Sequence, residues 1–383
     1  MAIDFAPAWM DAELAMYRDT VERFVATEML PGDEESRKRG HVGHELWRRA
    51  GELGVLCADI PEQYGGGGGD FRHEALLYEA MGRRGLTGMS PSVHSIVAHY
   101  FLNHGTEEQK QRFLPPMARG ELVGAIAMTE PGTGSDLQGI RTRAERKGDG
   151  YVINGSKTFI TNGYLAGVVL VVAKTDPTQR ARGTSILIVE TKDTQGYSVG
   201  RRLDKIGLKA QDTSELFFDN VIVPAHNLLG GVEGKGFTQL MSDLPYERAM
   251  IGVIGFAAME GAYQATLDYV NERSAFGKPI AEFQNTKFKL AEIATTIKVA
   301  RTFVDQCVTQ LLAGTLDTAT ASMLKLWISE QQCKVIDECV QLHGGYGYMN
   351  EYLVARMYVD ARVQRIYGGT SEIMKEVISR ALL

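Results

Sequence analysis

Cysteine is scarce in this sequence, and its few residues form no pattern that would bind a metal or build a disulfide framework. The chain has 383 residues, and its four cysteines are Cys57, Cys307, Cys333 and Cys339. No Cys-x-x-Cys occurs, and no group of His and Cys has metal-ligand spacing. We therefore expect no metal and four free thiols in a reducing compartment. The N-terminal sequence has no basic region followed by an apolar run, so we expect a cytoplasmic protein without a signal or transit peptide.

Three histidines recur at intervals of five residues, at His94, His99 and His104. Metal binding is one interpretation of this spacing. A step of five residues does not place side chains on one face of a helix, however, so core or solvated histidines are favoured.

The sequence also lacks an excess of basic charge, long apolar runs and the common nucleotide-binding motifs. The formal net charge is -6 and the pI is about 5.8, which disfavours nucleic acid as a partner. No apolar segment approaches the roughly 18 residues of a membrane span. Neither Gly-x-Gly-x-x-Gly nor a Walker A sequence is present, which disfavours a Rossmann nicotinamide enzyme and a P-loop nucleotidase.

What the sequence does contain is enough hydrophobic residue, 44% of the total, for a large core divided into two or three compact regions. Helical periodicity predicts an N-terminal helical domain over residues 1–120. Short β-rich runs without long helices between them predict a middle antiparallel sheet or small barrel over residues 121–232. A long apolar stripe from Leu290 to Leu311 belongs to a helical bundle over residues 233–383. The fold class is thus α+β, in the order helices, strands, helices.

Two local signals in these regions predict turns or loops. Residues 151–160 read as a hairpin in which Asn154 and Gly155 form the turn. Five consecutive glycines at 65–69 could cradle a phosphate. A flexible exposed loop is favoured there, because no Lys-Ser/Thr follows the run.

Three strings with glycine or hydroxyl groups point to a ligand. Glycine costs roughly 1 kcal/mol per helical position, yet a cluster at 344–347 follows a helical pattern that includes Gln341. Ala127-Met-Thr-Glu-Pro-Gly-Thr-Gly-Ser-Asp136 places exposed amides beside hydroxyls that could bind the edge of a ring. Phe159-Ile-Thr161 adds an aromatic ring and a hydroxyl at the end of a strand. On spacing alone, two structural alternatives remain open. Residues 127–136 could be a turn that carries polar side chains, and Phe159 could be an aromatic residue of the core.

Taken together, these strings resemble the acyl-CoA dehydrogenases over essentially the whole chain, most closely their long-chain branch. Residues 209–213 and 358–362 and the pair Glu247-Arg248 look like that branch. The resemblance implies the family's fold, which ends in a four-helix bundle, and a bound FAD. The residues that it implies for cofactor binding are Ala127, Met128, Thr129, Gly134, Ser135, Phe159, Ile160, Thr161, Arg273, Phe276, Gln284, Gln341, Gly344, Gly345, Thr370 and Glu372.

The catalytic base is where this sequence departs from much of the family. Many members have a glutamate directly before Gly-Thr in the C-terminal turn, and this chain has Gly368 there. The long-chain and isovaleryl members carry their glutamate at the position of Glu247. The competing interpretation is structural, because a glutamate two residues after Pro245 suits the first turn of a helix. Arg248 would keep Glu247 ionised while burial would raise its pKa, and the sequence leaves the balance open.

The implied reaction is α,β-dehydrogenation of a saturated acyl-CoA to the trans-2-enoyl-CoA. The resemblance implies that Ser135, Leu244, Tyr246, Arg248, Tyr367 and Gly368 contact the substrate, and that the N–H of Gly368 binds the thioester carbonyl. It also implies electron-transfer flavoprotein as the partner, and a homotetramer in which Arg273, Phe276, Gln284 and Gln341 complete a neighbour's flavin site. An acyl-CoA oxidase, a branched-chain or terpenoid acyl-CoA dehydrogenase and a catalytically dead relative remain as alternatives.

Overall fold

Six helices form the N-terminal region of the computed structural model, which describes residues 5–383. They are α1 (Ala12–Phe24), α2 (Asp33–Arg39), α3 (His44–Glu52), α4 (Phe71–Arg83), α5 (Pro91–His104) and α6 (Glu107–Ala118). Local signals fix their ends. The carboxylate of Asp70 accepts the N–H of Arg72 at the start of α4, and the Thr106 hydroxyl accepts the N–H of Gln109 at the start of α6.

The glycine run before α4 is held in place by its own backbone. The N–H groups of Gly67, Gly68 and Gly69 donate to carbonyls of residues 57–60 at 2.9–3.1 Å. A Cβ at Gly66 would lie 2.2 Å from the carbonyl oxygen of Ile60. The run is the exposed loop that was predicted, and these hydrogen bonds and close contacts hold its backbone in place. The same hydrogen bonds leave these amides unavailable to a phosphate.

Seven strands follow and pair into one sheet. They are β1 (Gly124–Ala127), β2 (Arg143–Lys147), β3 (Gly150–Thr161), β4 (Val168–Lys174), β5 (Thr184–Glu190), β6 (Tyr197–Arg202) and β7 (Thr213–Pro224). The strand order is β1-β4-β2-β3-β7-β6, and β5 pairs with β4. Strand β4 is buried along its whole length, which explains why its sequence is a continuous apolar run and does not alternate.

Two details of the sheet differ from the prediction. Strand β1 pairs with β4 in parallel, with Gly124 opposite Val168. In the sequence, the β2–β3 hairpin separates these two strands, and it brings the chain back so that β4 runs in the same direction as β1. Asn154 and Gly155 lie inside β3, at an irregularity in its pairing with β7. The hairpin turn is Gly148-Asp149, where Lys147 pairs with Gly150. Gly155 is required because a Cβ there would come 2.4 Å from the Thr142 hydroxyl.

The C-terminal region is helical, as predicted. It contains α7 (Gly236–Glu272), a small hairpin of β8 (Ser274–Ala275) and β9 (Lys278–Pro279), α8 (Gln284–Leu312), α9 (Thr318–His343), α10 (Leu353–Ala361) and α11 (Ser371–Leu382). Helix α9 packs against α7, α8, α10 and α11, while α7 also packs against α4. Helix α7 therefore contacts both helical regions and positions the groups between them.

Candidate active site

A cavity of about 260 Å³ lies beside α7. One stripe of that helix lines it, formed by Glu247, Met250, Ile251, Ile254 and Ala258. This spacing of three or four residues places the five side chains on one face. The other walls come from α4, α5, the sheet and the turn before α11, and include Tyr78, Gly82, Gly85, Ile96, Ile126, Phe159, Thr161, Tyr367 and Gly368. Most of these groups are apolar, so Glu247 is a carboxyl group in a largely hydrocarbon setting.

Glu247 is buried, with 8% of its surface exposed. Its Oε1 accepts the hydroxyl hydrogen of Tyr100 at 3.2 Å. Burial is the largest cause of a pKa raised to about 7, and the negative charge of Asp243 adds to it. The Tyr100 hydrogen bond and the charge of Arg248 oppose this shift. Burial therefore outweighs Arg248, and the carboxyl group has the pKa of a general base that works near neutral pH.

Helix α7 begins at Gly236 and continues through Pro245, so Glu247 lies about three turns inside the helix. The alternative that Glu247 is a carboxylate of the first turn, stabilised by the helix dipole, is therefore wrong. The effect of a helix terminus does not extend beyond its first turn.

Asp243, one turn before Glu247, is part of a small hydrogen-bonded group. Its two carboxylate oxygens lie 3.0 Å from Asn103 Nδ2 and 3.2 Å from His104 Nε2. Both partners come from the end of α5, so this group joins α5 to α7. It fixes a negative charge close to Glu247.

The turn of Gly368 and Gly369 faces the same cavity. Gly368 has φ +61 and Gly369 has φ +95, values that glycine adopts at little cost. Among the described residues, no backbone carbonyl accepts the N–H of Gly368. The Gly369 carbonyl accepts a hydrogen bond from Lys325 Nζ at 2.5 Å. Lys325 is fully buried, and burial lowers its pKa to about 8. Its ammonium group thus holds a turn in which the N–H of Gly368 has no acceptor among residues 5–383.

Strand β3 supplies an aromatic wall. Phe159 is 66% exposed and has φ +61, a strained conformation of the kind found at functional sites. Ile160 is buried beneath it, while Phe159 and Thr161 line the cavity. A large exposed ring in a strained backbone is consistent with a flat ligand stacked on it.

The loop after β1 is held by a buried ion pair. Lys157 Nζ lies 2.9 Å from both the Met128 carbonyl and the Glu130 carboxylate, and Glu130 also accepts the N–H groups of Arg141 and Thr142. The loop follows Ala127 and presents Thr129, Gly134 and Ser135, of which Gly134 and Ser135 are exposed. The pair and these hydrogen bonds tie the loop to β3 and to the chain just before β2.

A second, open cleft of about 480 Å³ brings together Arg273, Gln341, Gly344 and Gly345. Gly344 has φ +59, and a Cβ at either glycine would meet nothing within 4 Å. Phe276, at the tip of the β8–β9 hairpin, is 96% exposed. Gln284 is exposed at the start of α8. This cleft shares no lining residue with the first cavity, so the predicted cofactor residues form two separate groups within one chain.

The remaining predicted residues fall outside both sites or at their edge. Thr370 and Glu372 follow the glycine turn, where the Thr370 hydroxyl caps α11 by accepting the N–H of Ile373. Arg248 is buried and donates to the Ser322 hydroxyl at 2.9 Å, and Tyr246 donates to Asp59 at 2.7 Å.

Four predicted substrate contacts, Ser135, Leu244, Tyr246 and Arg248, do not line the cavity. Tyr246 and Arg248 each lie about 100° from Glu247 around α7, outside the arc that the stripe covers. Leu244 precedes the stripe by nearly one turn of the helix.

The sequence analysis missed several residues of the site, namely Tyr100, Asp243, Lys157, Glu130 and Lys325. Only two left a signal in the sequence. Asp243 is a carboxylate four residues before Glu247, and Lys325 is a charged residue between the apolar positions Leu324 and Ile328 of α9.

Comparison with known families agrees with the fold. Models of the acyl-CoA dehydrogenase N-terminal, middle and C-terminal domains match residues 11–121, 125–221 and 234–383. The chain therefore belongs to the acyl-CoA dehydrogenase family, the flavin-dependent oxidoreductases of fatty acid metabolism that act on a CH–CH bond. No helix of the described residues is long and apolar enough to cross a membrane.

Individual relatives are similar along nearly the whole chain. The mitochondrial long-chain specific acyl-CoA dehydrogenase of Rattus norvegicus is 49% identical over 97% of this chain and 87% of the relative. A crystal structure of acyl-CoA dehydrogenase from Geobacillus kaustophilus has a TM-score of 0.95 at 45% identity, covering 98% of this chain and all of the other. A glutaryl-CoA dehydrogenase from Mycobacterium smegmatis, solved with FADH2, has a TM-score of 0.90 at 31% identity and covers 97% and 95% of the two chains.

The pKa of Glu247 predicts how activity depends on pH. A base must be ionised to accept a proton, so kcat/KM should rise as pH increases through about 7 and be lost as pH falls below it. Asp243→Asn removes a negative charge that raises this pKa, so the rise should move to lower pH. We expect a several-fold gain near pH 6 and little change near pH 8.5, at roughly tenfold per pH unit below the pKa.

A pH profile of acyl-CoA oxidation measures this shift, and Asp268→Asn on the exposed face of α7 is the matched control. If the Asp243→Asn profile coincides with that of the control, the charge of Asp243 does not set the pKa of the base.

Proposed function

We propose that this protein dehydrogenates a saturated long-chain acyl-CoA to the trans-2-enoyl-CoA, with Glu247 as the base. The observation that carries the proposal is that Glu247 and Gly368 line one apolar cavity, the first with a pKa near neutrality and the second with a free N–H. These are the two groups that removal of a proton beside a thioester requires.

The chemistry follows from these two groups. The α-proton of a thioester is too weakly acidic for a carboxylate unless the developing enolate is stabilised. The N–H of Gly368 can donate to the thioester oxygen, where the negative charge develops. Glu247 accepts the α-proton at a carboxylate oxygen, and the apolar walls exclude water that would weaken both interactions.

FAD is the cofactor that we propose for this reaction, and it would supply the acceptor for the β-hydride. The residues fit it in two places. Phe159 and Thr161 offer a ring face and a hydroxyl beside the cavity, and the loop from Ala127 to Ser135 offers amides and hydroxyls next to them. The second cleft offers Arg273 for a diphosphate and bare glycine backbone at 344–345 for close approach.

The division of the predicted cofactor residues between two separate cavities supports a shared site in a homotetramer. Because the cavity and the cleft have no residue in common, Arg273, Phe276, Gln284 and Gln341 would bind the FAD of a neighbouring subunit. Electrons would then pass to an electron-transfer flavoprotein, and slow reoxidation in air would distinguish this from an acyl-CoA oxidase. The four free thiols fit a cytoplasmic location.

The length of the cavity favours a long acyl chain. Glu247 and Ala258 both line it and are eleven residues apart on α7, which is about 16 Å at 1.5 Å per residue. An extended hydrocarbon advances roughly 1.3 Å per carbon for C–C bonds of about 1.5 Å. The cavity therefore has the length of about a dozen carbons beyond the reacting α-carbon.

Glu247→Gln tests the base. Glutamine keeps the size and polarity of the side chain but accepts no proton. Anaerobic bleaching of the flavin by hexadecanoyl-CoA should slow by at least ~10²-fold, the lower end for a general base, while FAD content stays unchanged. Glu272→Gln, an exposed glutamate at the end of the same helix, should bleach at the wild-type rate. Equal rates in both variants would make Glu247 a structural carboxyl group.

Moving the base tests the geometry of the turn. In Glu247→Gly/Gly368→Glu the new side chain must accept φ +61, and its Cβ would lie 2.4 Å from Ile251 Cδ1. We expect the bleaching rate of this pair to recover only in part, and more fully when Ile251→Ala makes room. If Ile251→Ala gives no further recovery, the clash with Ile251 does not limit the relocated base.

Arg273→Ala tests the shared cofactor site. Loss of one hydrogen bond to a charged group weakens binding by about 1.5–3 kcal/mol, so FAD per chain after gel filtration should fall in dilute samples. Arg380→Ala, which breaks an exposed pair with Glu376, should retain FAD. A fully active monomer, detected by light scattering, would contradict the shared site.

Ala258→Phe tests the length of the cavity. A ring at this position would block the end far from Glu247, so kcat/KM for hexadecanoyl-CoA should fall by at least ~10-fold through overpacking. Turnover of butyryl-CoA by the same sample should persist, because a short chain does not reach Ala258. A proportional loss for both substrates would mean that the chain does not occupy this space.

A further inference from the structure

One buried lysine is bonded to the glycine turn that lines the acyl cavity. Lys325 of α9 has no exposed surface, and its Nζ donates to the Gly369 carbonyl at 2.5 Å. No carboxylate within residues 5–383 forms an ion pair with it. Burial of a charge without an ionic partner destabilises a fold, because a single carbonyl does not replace the lost hydration. A neutral donor would hold the same carbonyl with a smaller loss, so the charge of Lys325 requires an explanation.

The charges around Lys325 make its burial less favourable still. Arg248 of α7 is also buried and donates to Ser322, which precedes Lys325 by three residues and so lies on the same face of α9. Burial is the largest cause of a Lys325 pKa lowered to about 8, and Arg248 and Arg365 add to it, while Glu372 opposes it. Glu372 is exposed at the start of α11, where solvent screens its charge. Lys325 therefore lies in surroundings with an excess of positive charge.

The hydrogen bond from Lys325 fixes one end of the segment that carries the free N–H of Gly368. At the other end, the Tyr367 N–H donates to the Val363 carbonyl at 3.0 Å. Between these two anchors, Gly368 and Gly369 both have positive φ values, and glycine adopts several backbone conformations at little cost. Loss of the bond at Gly369 would therefore allow the Gly368 N–H to rotate away from the cavity.

The proposed reaction creates a negative charge next to this turn. When the α-proton leaves, charge develops on the thioester oxygen, to which the N–H of Gly368 would donate. The ammonium group of Lys325, bonded to the residue after Gly368, is a positive charge that is already in place. Such a charge stabilises the enolate more than the uncharged substrate, so it lowers the barrier to proton removal.

We propose that Lys325 is a positioning residue for removal of the α-proton, which holds the Gly368 N–H toward the thioester oxygen and supplies positive charge behind it. This proposal rests on the acyl-CoA dehydrogenase function proposed above and adds a residue to its mechanism. Lys325 does not touch the substrate, and it neither gains nor loses a proton in the reaction. The α-proton passes to Glu247, and the ammonium group acts on the enolate through the turn.

Exchange of the α-hydrogens isolates this step from hydride transfer. In 3-thiahexadecanoyl-CoA a sulfur atom replaces the β-carbon, so a base can remove the α-proton but no β-hydride is available. With the FAD-loaded enzyme in D2O, mass spectrometry of the analogue measures the exchange rate. The wild-type enzyme should exchange the α-hydrogens, and Glu247→Gln should do so at least ~10²-fold more slowly.

Lys325→Met removes the charge and the donor but keeps an unbranched side chain. Exchange and the kcat for hexadecanoyl-CoA should both fall by at least ~10-fold, the lower end for a hydrogen bond to a charged group. KM and FAD content should change little, because the acyl chain binds to apolar walls that Lys325 does not form. Lys334→Met, at an exposed position of the same helix, is the matched control. Equal exchange rates in Lys325→Met and the control would overturn the proposal.

The pH dependence of exchange separates the charge of Lys325 from a purely structural contact. Because the pKa of Lys325 is lowered to about 8, wild-type exchange should fall as pH rises above that value and the ammonium group loses its proton. Lys325→Arg should show no such fall, since a guanidinium group stays protonated. A wild-type rate that stays level up to about pH 10 would overturn the proposal, and this measurement is decisive even if Lys325→Met does not fold.

The two proposals fail in different ways. If the wild-type enzyme neither exchanges the analogue nor oxidises hexadecanoyl-CoA, the proposed function is wrong, and the role of Lys325 is wrong with it. If the wild-type enzyme does both, while the loss of the Lys325 charge by substitution or by pH changes neither rate, the proposed function stands and only the role of Lys325 is wrong.

Discussion

Burial of one carboxyl group in an apolar cavity is the constraint around which this protein is arranged. Within residues 5–383, the one hydrogen-bond donor to Glu247 is Tyr100, and the charge of Asp243 lies one helical turn away. This environment keeps the proton affinity of Glu247 high, because a closer cation or more hydrogen-bond donors would lower the pKa of its carboxyl group. Arg248, the cation next in sequence, points to Ser322 on α9. Helix α7, which carries Glu247, therefore also directs the neighbouring positive charge away from that carboxyl group.

Helix α7 sets the length and the orientation of the cavity. Its stripe of residues from Glu247 to Ala258 forms one wall of the cavity, and it packs against α4 and α9 on its other sides. Small residues make this possible. A Cβ at Gly82 would lie 2.8 Å from Ala257, and one at Gly252 would lie 2.7 Å from Leu324. Close helix packing at these points leaves the free volume concentrated along the stripe.

The sequence predicted the features that depend on periodicity and on extended motifs. It did not predict the features that depend on tertiary packing. The order of helices and strands and the apolar stripe of α8 follow from local patterns. Asn154-Gly155 has the chemistry of a hairpin turn, yet pairing of β3 with β7 keeps it inside a strand. Gln332 and Gln364 are 32 positions apart in the sequence, yet both side-chain oxygens would lie 3.2 Å from a Cβ at Gly255, because α9 and the segment before Tyr367 pack on the same side of α7. No local pattern marks such a pair.

The packing of the glycine turn is consistent with the proposed location of the base on α7. Gly368 has a backbone conformation that favours glycine, and Ile251 Cδ1 fills the space in which its Cβ would stand. Lys325 bonds to the next carbonyl, so the turn cannot move aside without breaking a buried hydrogen bond to a charged group, which costs more than a neutral one. A side chain at Gly368 would therefore have to displace Ile251 and adopt a backbone conformation that favours glycine. A carboxylate on the facing wall needs neither change, and the residue on α7 one turn before Ile251 is Glu247, the proposed base.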